Sequence, residues 1–315
     1  MGGTKILAAV LNSKEGIIAR VKKATNLKSS RIDYIKSLAQ IVEDVVKKAK
    51  LKKSQVKAVC LGIPASLNPI TGQIFIAPNL GIKNFNIKAA LKKYITYPVL
   101  IENDVNLGAL GVQKFGVGRK SQNMLAVFIG TGIGGGLIVN GKIYRGSTFL
   151  AGEIGHIIVK ENGPLCGCGN RGCFEAIASR KSIVNKIIMD INKNKKKSTL
   201  TPLIKSKKRI KSSALARAVM NNDRVVIKYL TLECKTIGRV LGSLTNFMNF
   251  DLIVLGGGLI EALHKFMIPH IKEEMNIHML KGTAKAVKLV STKLGDDAAL
   301  FGGIALAEEF LNVKI

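Results

Sequence analysis

The sequence predicts an α/β fold made of two lobes. Short apolar segments that suit buried strands alternate along the chain with longer segments whose apolar residues recur at helical spacing. Two Gly-rich hairpins, one at the start and one near residue 130, each open a stretch with this alternation, which indicates two lobes of similar plan. The chain has 315 residues, of which 47% are hydrophobic, so it can bury a sizeable core.

The first lobe begins with a Gly-rich turn, Gly2-Gly3-Thr4, that runs into a β-hairpin over residues 6–21. A turn of this kind normally follows a strand, and no strand precedes it in this sequence. We therefore expect the first strand of the lobe to be missing. The next elements are predicted as helix, strand, hairpin loop, helix, strand and helix at residues 32–50, 56–63, 64–82, 85–94, 98–101 and 105–115.

The second lobe is predicted to open with a strand over residues 123–129, directly before a run of glycines. Apolar spacing then predicts four helices, two further strands and a last helix. They lie at residues 176–193, 213–222, 224–248 and 263–280 for the helices, 252–255 and 287–290 for the strands, and 296–310 for the last helix.

The formal net charge of +29 invites a nucleic-acid interpretation, but the composition speaks against it. Only 10 of the 49 basic residues are arginine, the side chain best suited to bidentate contacts with phosphates and bases. The densest basic stretch, residues 192–211, has no aromatic residue on which a base could stack. We therefore predict no nucleic-acid partner and interpret this stretch as a solvated connection, with a polyanion-binding face as the alternative.

No secretory leader or membrane span is visible in the sequence. The longest apolar run, residues 124–139, has sixteen residues and five glycines, which is too short and too interrupted to cross a bilayer. A group of thiols kept free for a metal suits a reducing compartment, so we expect a cytoplasmic protein.

The most informative segment is a Gly-rich stretch with an imidazole and three thiols. Within eighteen positions it holds His156, Cys166, Cys168 and Cys173. One nitrogen and three sulfur ligands suit zinc, and four protein ligands leave no open coordination position, so the predicted ion is structural. Two acids that the metal does not need, Glu153 and Glu175, bracket the segment. A disulfide, or a loop that binds nothing, remains the alternative.

A second motif, Gly-x-Gly-x-x-Gly, begins at Gly130. In a dinucleotide-binding fold it would open a helix, but here it is followed by an Asn140-Gly141 hairpin signal, so it lies between strands. Backbone N–H groups without side chains can then reach phosphate oxygens, and a hydroxyl can assist. The residues predicted to do so are Gly130, Thr131, Gly132 and Gly134, with Gly3 and Thr4 of the first hairpin opposite them.

Two further positions have a functional and a structural interpretation. The glycines Gly256, Gly257 and Gly258 lie between a strand and a helix, where they could seat a nucleoside or merely permit a tight turn. Asp104 lies where a strand turns into a helix, a place where α/β folds present reactive side chains. It could act as a catalytic base or only cap the helix.

Three motifs carry a resemblance to a known family. The segment from Glu153-Ile-Gly-His156 through Cys166-x-Cys168 to Cys173-Phe-Glu175 resembles the signature of the ROK family, which comprises repressors, open reading frames and sugar kinases. Glu102-Asn-Asp104-x-Asn106 resembles the sugar-site motif of this family, and residues 294–299 resemble its C-terminal motif. The resemblance covers essentially the whole chain.

The resemblance implies a two-lobed actin-like, RNase H-like fold of the hexokinase–actin superfamily, with a structural zinc loop. The small lobe would comprise residues 1–116 and 296–315, because the last helix crosses back, and the large lobe residues 117–295 with the zinc loop and nucleotide site. In ROK kinases an Asp precedes the first Gly-Gly-Thr turn. This sequence lacks that Asp, which puts full activity in doubt.

The family also implies an activity. ATP with Mg²⁺ would phosphorylate a hexose, most simply glucose to glucose 6-phosphate; fructose, mannose or an N-acetylhexosamine is the alternative, as is a catalytically impaired sugar-binding regulator. A homodimer or homotetramer is expected. By this resemblance Asp104 is the catalytic base, and the sugar ligands are Asn103, Asp104, Glu153, His156, Glu175 and Asn79.

Overall fold

The small lobe is built from two hairpin-like units and a parallel strand pair. The computed structural model describes residues 5–25 and 30–312. The predicted Gly3 and Thr4 phosphate contacts therefore lie outside the described residues. The elements of this lobe are β1 (Lys5–Asn12), β2 (Gly16–Ala24), α1 (Arg31–Lys48), β3 (Val59–Ile63), β4 (Ser66–Asn68), β5 (Gln73–Ala77), β6 (Ile82–Asn86), α2 (Ile87–Leu91), β7 (Val99–Asn103) and α3 (Asp104–Phe115).

These strands form three separate ladders. β1 pairs antiparallel with β2, β3 pairs parallel with β7, and β4, β5 and β6 form an antiparallel sheet. Within residues 5–25 and 30–312, no strand is hydrogen-bonded between β1 and β3. Helix α1 holds the ladders together because its buried stripe, which includes Ile35, Leu38 and Val42, belongs to one core with residues of β1 and β3.

The predicted helix over residues 85–94 is wrong in its first part. Residues Ile82–Asn86 form β6, in which Phe85 pairs with Ile74 of β5. The helix begins only at Ile87, where the Asn86 side chain accepts a hydrogen bond from the backbone N–H of Ala89. Cross-strand pairing and this cap outweigh the helical spacing of the apolar residues.

The large lobe has one continuous five-stranded sheet. Its order is β10 (Lys142–Tyr144), β9 (Ile133–Val139), β8 (Met124–Ile129), β11 (Leu252–Gly256) and β12 (Lys288–Ser291), with β8 parallel to β11 and antiparallel to β9. The residues of β8 and β11 are almost all fully buried, as expected for central strands covered on both faces.

Helices make up most of the rest of the large lobe. They are α4 (Phe174–Ala178), α5 (Arg180–Asn194), α6 (Thr201–Lys205), α7 (Ser212–Met220), α8 (Arg224–Met248), α9 (Gly258–His278) and α10 (Lys281–Ala286). The predicted helix over 176–193 is thus two helices. Ser179 between them is extended (φ −68°, ψ 157°), and its hydroxyl caps α5 by accepting from the Ser182 N–H.

Helix α3 packs on the last helix, α11 (Asp297–Leu311), and on β8 and β9 of the large lobe. Glycines allow these helices to approach closely: a Cβ at Gly111 would overlap the carbonyl oxygen of Ala298, and one at Gly302 would overlap the carbonyl oxygen of Leu107. α11 also packs against β1 and β3. The site described below lies at the start of α3, next to this junction.

No helix within residues 5–25 and 30–312 combines the length and the apolar character that a bilayer crossing requires.

Candidate active site and metal centre

The start of α3 is capped by Asn103 and not by Asp104. The Asn103 side-chain oxygen accepts from the N–H groups of Val105 (2.8 Å) and Asn106 (3.2 Å), and its amide nitrogen donates to the Ala65 carbonyl (3.3 Å). Asp104 is the first helical residue and is not needed to cap the helix. The capping role that was the structural interpretation of Asp104 therefore belongs to Asn103, and the Asp104 carboxylate is left for another role.

Burial raises the pKa of Asp104 above its ordinary value, although the nearby backbone N–H groups at the start of α3 oppose the shift. Such a shift is characteristic of groups that take part in proton transfer. Gly62 lies against this residue: a Cβ there would stand 3.6 Å from the Asp104 Cα and closer still to Leu107.

The strand–helix junction around Asp104 is held by a buried carboxylate that the sequence analysis did not assign a role. Glu102 is 2% exposed. One of its oxygens accepts from the Asn103 N–H (2.9 Å) and the Asn106 side chain (3.1 Å), and the other accepts from Nε of Arg145 (2.7 Å). Arg145 also forms a two-pronged ion pair with Glu309 of α11. This network fixes the direction in which α3 leaves β7.

The four predicted metal ligands are together. One ligand atom from each of His156, Cys166, Cys168 and Cys173 lies within 4.8 Å of all the others. The Cys166 Sγ lies 3.7 Å from His156 Nδ1, and the Cys168 Sγ lies 3.6 Å from the Cys173 Sγ. Since Zn–S bonds of about 2.3 Å at tetrahedral angles put sulfurs about 3.8 Å apart, this donor set fits one zinc ion.

The surroundings of the thiols shift their pKa values in opposite directions. Burial, followed by the neighbouring sulfurs of Cys168 and Cys166, raises the pKa of Cys173 to about 12. The backbone N–H of Asn170 acts in the other direction and lowers the pKa of Cys168. A divalent cation is the group that would allow the buried Cys173 thiol to ionise beside two other sulfurs.

The backbone of the metal loop needs glycine at one critical place. Gly172 has φ +77°, and a Cβ there would overlap the carbonyl oxygen of Lys160. This close approach lets the chain double back, with Ile158 bridged to Cys173 and Leu165 bridged to Arg171. A larger residue at position 172 would prevent this close approach.

Glu153, which precedes the loop, lies within electrostatic reach of both Glu175 and Asp104. Burial raises the pKa of Glu153, and repulsion from Glu175 and Asp104 raises it further, while His156 opposes these effects. The Nε2 of His156 lies 3.8 Å from the Glu153 carboxylate, so the ring faces the thiols with Nδ1 and the acid with Nε2. Three carboxylates and one imidazole thus converge at this place.

The Gly-rich hairpin after β8 lies beside these acids. The Glu175 carboxylate accepts from the Ile133 N–H (2.8 Å) and fills the space where Gly132 would carry a Cβ. Gly134 packs against Val105, directly after Asp104. Residues 130–132 form the turn between β8 and β9, so the motif is a strand–turn–strand hairpin, as predicted, and does not open a helix.

Arg180 is a further site residue that the sequence did not indicate. Its guanidinium donates to the Thr131 hydroxyl (2.7 Å) and to the Ile210 carbonyl (3.0 Å), and its backbone N–H donates to the Gly130 carbonyl (3.0 Å). Burial, together with the nearby Arg209, lowers its pKa. The start of α5 therefore brings a positive charge to the hairpin. No local sequence pattern predicts this contact, because the two segments are far apart along the chain.

The glycines after β11 divide between structural and open positions. Gly257 has φ +85°, and a Cβ there would crowd the backbone of Ile129, so glycine is required by the fold. Gly256 is enclosed by Phe128 and Thr292 in the same way. Only Gly258, at the start of α9, faces open space, with the Ser212 hydroxyl as its nearest neighbour.

Asn79 stays a predicted sugar ligand. It lies exposed in the turn Pro78–Leu80 of the small lobe. None of the hydrogen bonds found around Asp104 in the described residues includes it.

Known proteins resemble the chain over nearly its full length. A glucokinase from Halalkalibacterium halodurans is 30% identical over 99% of this chain and 94% of its own length. A xylose repressor from Caldicellulosiruptor bescii is 25% identical over 86% of this chain and 67% of its own length. The crystal structure of a ROK glucokinase from Streptomyces griseus, in complex with glucose and AMPPNP, has a TM-score of 0.83 and 26% identity, and it covers 98% of this chain and 97% of its own.

These comparisons confirm the predicted fold of the ROK sugar kinases and the prediction of a sugar kinase. The ROK family profile matches residues 1–310, so nearly the whole chain is accounted for. The chain belongs to the ROK family.

Proposed function

We propose that this protein is an ATP-dependent hexose kinase that converts glucose to glucose 6-phosphate. The observation that carries the proposal is the environment of the Asp104 carboxylate. The side chain is half-buried, is relieved of capping by Asn103, and lies within electrostatic reach of Glu153 beside a Gly-rich hairpin. The glucokinase relatives and the glucose- and AMPPNP-bound neighbour support the choice of both substrates.

The sugar would lie between the start of α3 and the metal loop. Its hydroxyls are both donors and acceptors, so they can pair with Glu153, with the outer nitrogen of His156, and with Glu175 and Asn103 where those groups have remaining capacity. Zinc would be held by His156 and the three cysteines, and its chemistry is to fix the loop and the tautomer of His156.

The phosphates would lie on the hairpin at residues 130–134, with Gly3 and Thr4 as predicted partners. Backbone N–H groups, the Thr131 hydroxyl and the Arg180 guanidinium supply donors and positive charge there. The adenosine would occupy the open space beside Gly258, and Mg²⁺ would accompany the nucleotide.

Asp104 would accept the proton of the attacking hydroxyl as the phosphoryl group is transferred. Its raised pKa brings it closer to working pH, which favours a general base. Because the transition state of phosphoryl transfer is loose, alignment and charge neutralisation supply most of the acceleration, and proton removal is a smaller part.

The test is an ADP-release assay on zinc-loaded protein with ATP, Mg²⁺ and a panel of hexoses. We expect glucose to give the highest kcat/KM, and ADP release without sugar to be far slower. Faster turnover of mannose, fructose or an N-acetylhexosamine would replace glucose as the substrate. No ADP release with any hexose would contradict kinase activity.

A sugar-binding regulatory role is a second candidate, favoured by the similarity to xylose repressors. Calorimetric binding of a sugar without any ADP release would support it. The proposal further includes a homodimer or homotetramer in the cytoplasm, which light scattering and cell fractionation would test.

A further inference from the structure

A cavity of about 570 Å³ lies behind the metal loop, away from Asp104. Its walls are the chain segment that follows His156, residues 157–160, and one face of α8. Apolar side chains such as Ile157, Val240 and Leu244 form much of the lining, and Leu232 stands half-exposed at its edge. The volume falls within the range of small-molecule sites.

A buried carboxylate with a free oxygen lines this cavity. Glu233 is 1% exposed, and its Oε1 accepts from the Lys186 ammonium at 2.5 Å. Its Oε2 is buried and has no hydrogen-bond partner among the described residues. Such an orphaned acceptor is costly, which makes it a sign of a missing ligand or water. Burial raises the pKa of this carboxyl, while Lys186, the nearby Thr236 hydroxyl and Lys160 oppose the shift.

The cavity also carries excess positive charge. Lys160, Lys186 and Arg239 all line it, and Lys186 is matched by Glu233. Within the described part of the chain, neither Lys160 nor Arg239 has an ion pair shorter than 4 Å. These two unmatched positive charges would balance a dianion. A phosphate monoester carries a charge of about −1.5 to −2 at neutral pH.

We propose that this cavity binds a small organic phosphate with hydroxyl groups, of the size of a sugar monophosphate. The phosphate pairs with Arg239 and Lys160, a hydroxyl donates to Glu233 Oε2, and the apolar walls cover the carbon skeleton. This inference does not depend on the kinase activity proposed above.

Binding there would reach the metal loop directly. The Ile157 carbonyl accepts from the Phe174 N–H (2.8 Å), Ile158 is bridged to Cys173, and Lys186 donates to the Ile177 carbonyl at the end of α4. The wall of the cavity is therefore joined to both ends of the metal-binding segment, and through α4 to Glu175. An occupant would hold these groups in place.

The test is isothermal titration of zinc-loaded protein with glucose 6-phosphate, alongside glucose and inorganic phosphate as the two halves of the ligand. Because glucose 6-phosphate could also bind at Asp104, variants of the cavity lining are needed to tell the two sites apart. We expect Arg239→Gln and Lys160→Gln each to raise Kd about tenfold or more, the effect of losing a charged hydrogen bond. Lys235→Gln, an exposed change on the same helix outside the cavity lining, should leave Kd unchanged.

Leu232→Trp, which fills the mouth of the cavity, should also abolish this binding while thermal denaturation shows a folded protein. Equal affinity of wild type and the Arg239→Gln variant would overturn the proposal, as would the absence of any heat with glucose 6-phosphate. Light scattering that shows a dimer dissociated by Leu232→Trp would also overturn it, because the face would then be an interface between copies.

Discussion

Two aspartates stand at the starts of helices, one in each lobe, and their surroundings are opposite. Asp223 caps α8: its Oδ1 accepts from the N–H groups of Val225 and Val226, and its Oδ2 accepts from Ser198 and Thr199. Asp104 begins α3, but Asn103 performs the capping. Burial raises the pKa of both carboxyls, yet at Asp223 the hydrogen bonds outweigh burial and the pKa lies below its usual value.

The contrast separates a structural residue from a chemical one. A buried carboxylate whose lone pairs are all occupied stabilises the fold and has no capacity left for a substrate. A half-buried carboxylate with a raised pKa, whose helix is capped by a neighbouring side chain, lowers the stability of the fold. Such a residue is best explained by a role in function. The predictions below test this distinction from the largest effect to the smallest.

The largest effect should come from Asp104→Asn. The amide keeps the shape of the side chain but cannot accept a proton, so kcat should fall by about 10²- to 10⁴-fold while the Kd of glucose changes little. ADP release and calorimetry measure the two quantities. Asp223→Asn is the matched control and should leave kcat within about threefold, since this residue caps α8 and is not part of the proposed site. Equal losses in both variants would remove Asp104 as the base.

Next in size is the loss of the metal. Cys173→Ser should release zinc and raise the Kd of glucose about tenfold or more, because the loop that orients His156 and Glu175 then loses its anchor. Metal content by mass spectrometry and calorimetry give the measurements. The control is Cys60→Ser. The Cys60 thiol donates a hydrogen bond to the Gly303 carbonyl in the small lobe, so this substitution should not alter the zinc content. Unchanged glucose affinity in zinc-free protein would contradict the scaffold role.

The same two aspartates should differ in stability. Asp223→Asn should lower the free energy of unfolding by about 1–3 kcal/mol at neutral pH, since several N–H and O–H donors lose a charged acceptor. Because the folded pKa of Asp223 is lowered, this contribution is present above the unfolded pKa of about 3.9 and disappears as the pH falls through the folded value. Urea unfolding of both proteins between neutral and acidic pH should show the difference closing.

Asp104→Asn should behave in the opposite way. The folded pKa of Asp104 is raised, so its ionised form costs stability as the pH rises from about 3.9 through that folded pKa. The variant lacks this charge and should equal or exceed wild type in stability at neutral pH, with the advantage vanishing in acid. A marked destabilisation at neutral pH would mean that the carboxylate serves the fold.

The sequence predicted the site better where ligands are close along the chain than where tertiary packing brings them together. The four predicted metal ligands fall within one loop, so their spacing along the chain predicted that they would cluster. The Asn140-Gly141 signal distinguished a hairpin from a dinucleotide-binding turn. The helix prediction at 85–94 failed because pairing of Phe85 with Ile74 is a contact between strands that local spacing does not encode. Arg145 and Arg180 were missed for the same reason, since each acts on an element distant in sequence.

Arg180 offers the smallest effect and an intermediate case between the two aspartates. Its guanidinium is partly occupied by Thr131 and Ile210, yet it brings charge to the hairpin proposed to hold phosphates. Arg180→Gln should raise the KM of ATP about threefold, the size expected for a partly exposed charge contact, and leave the KM of glucose unchanged. Arg217→Gln, on helix α7, serves as the charge-matched control. Equal changes in the two KM values would show that Arg180 only supports the packing of α5, and would place it with Asp223 among the structural residues.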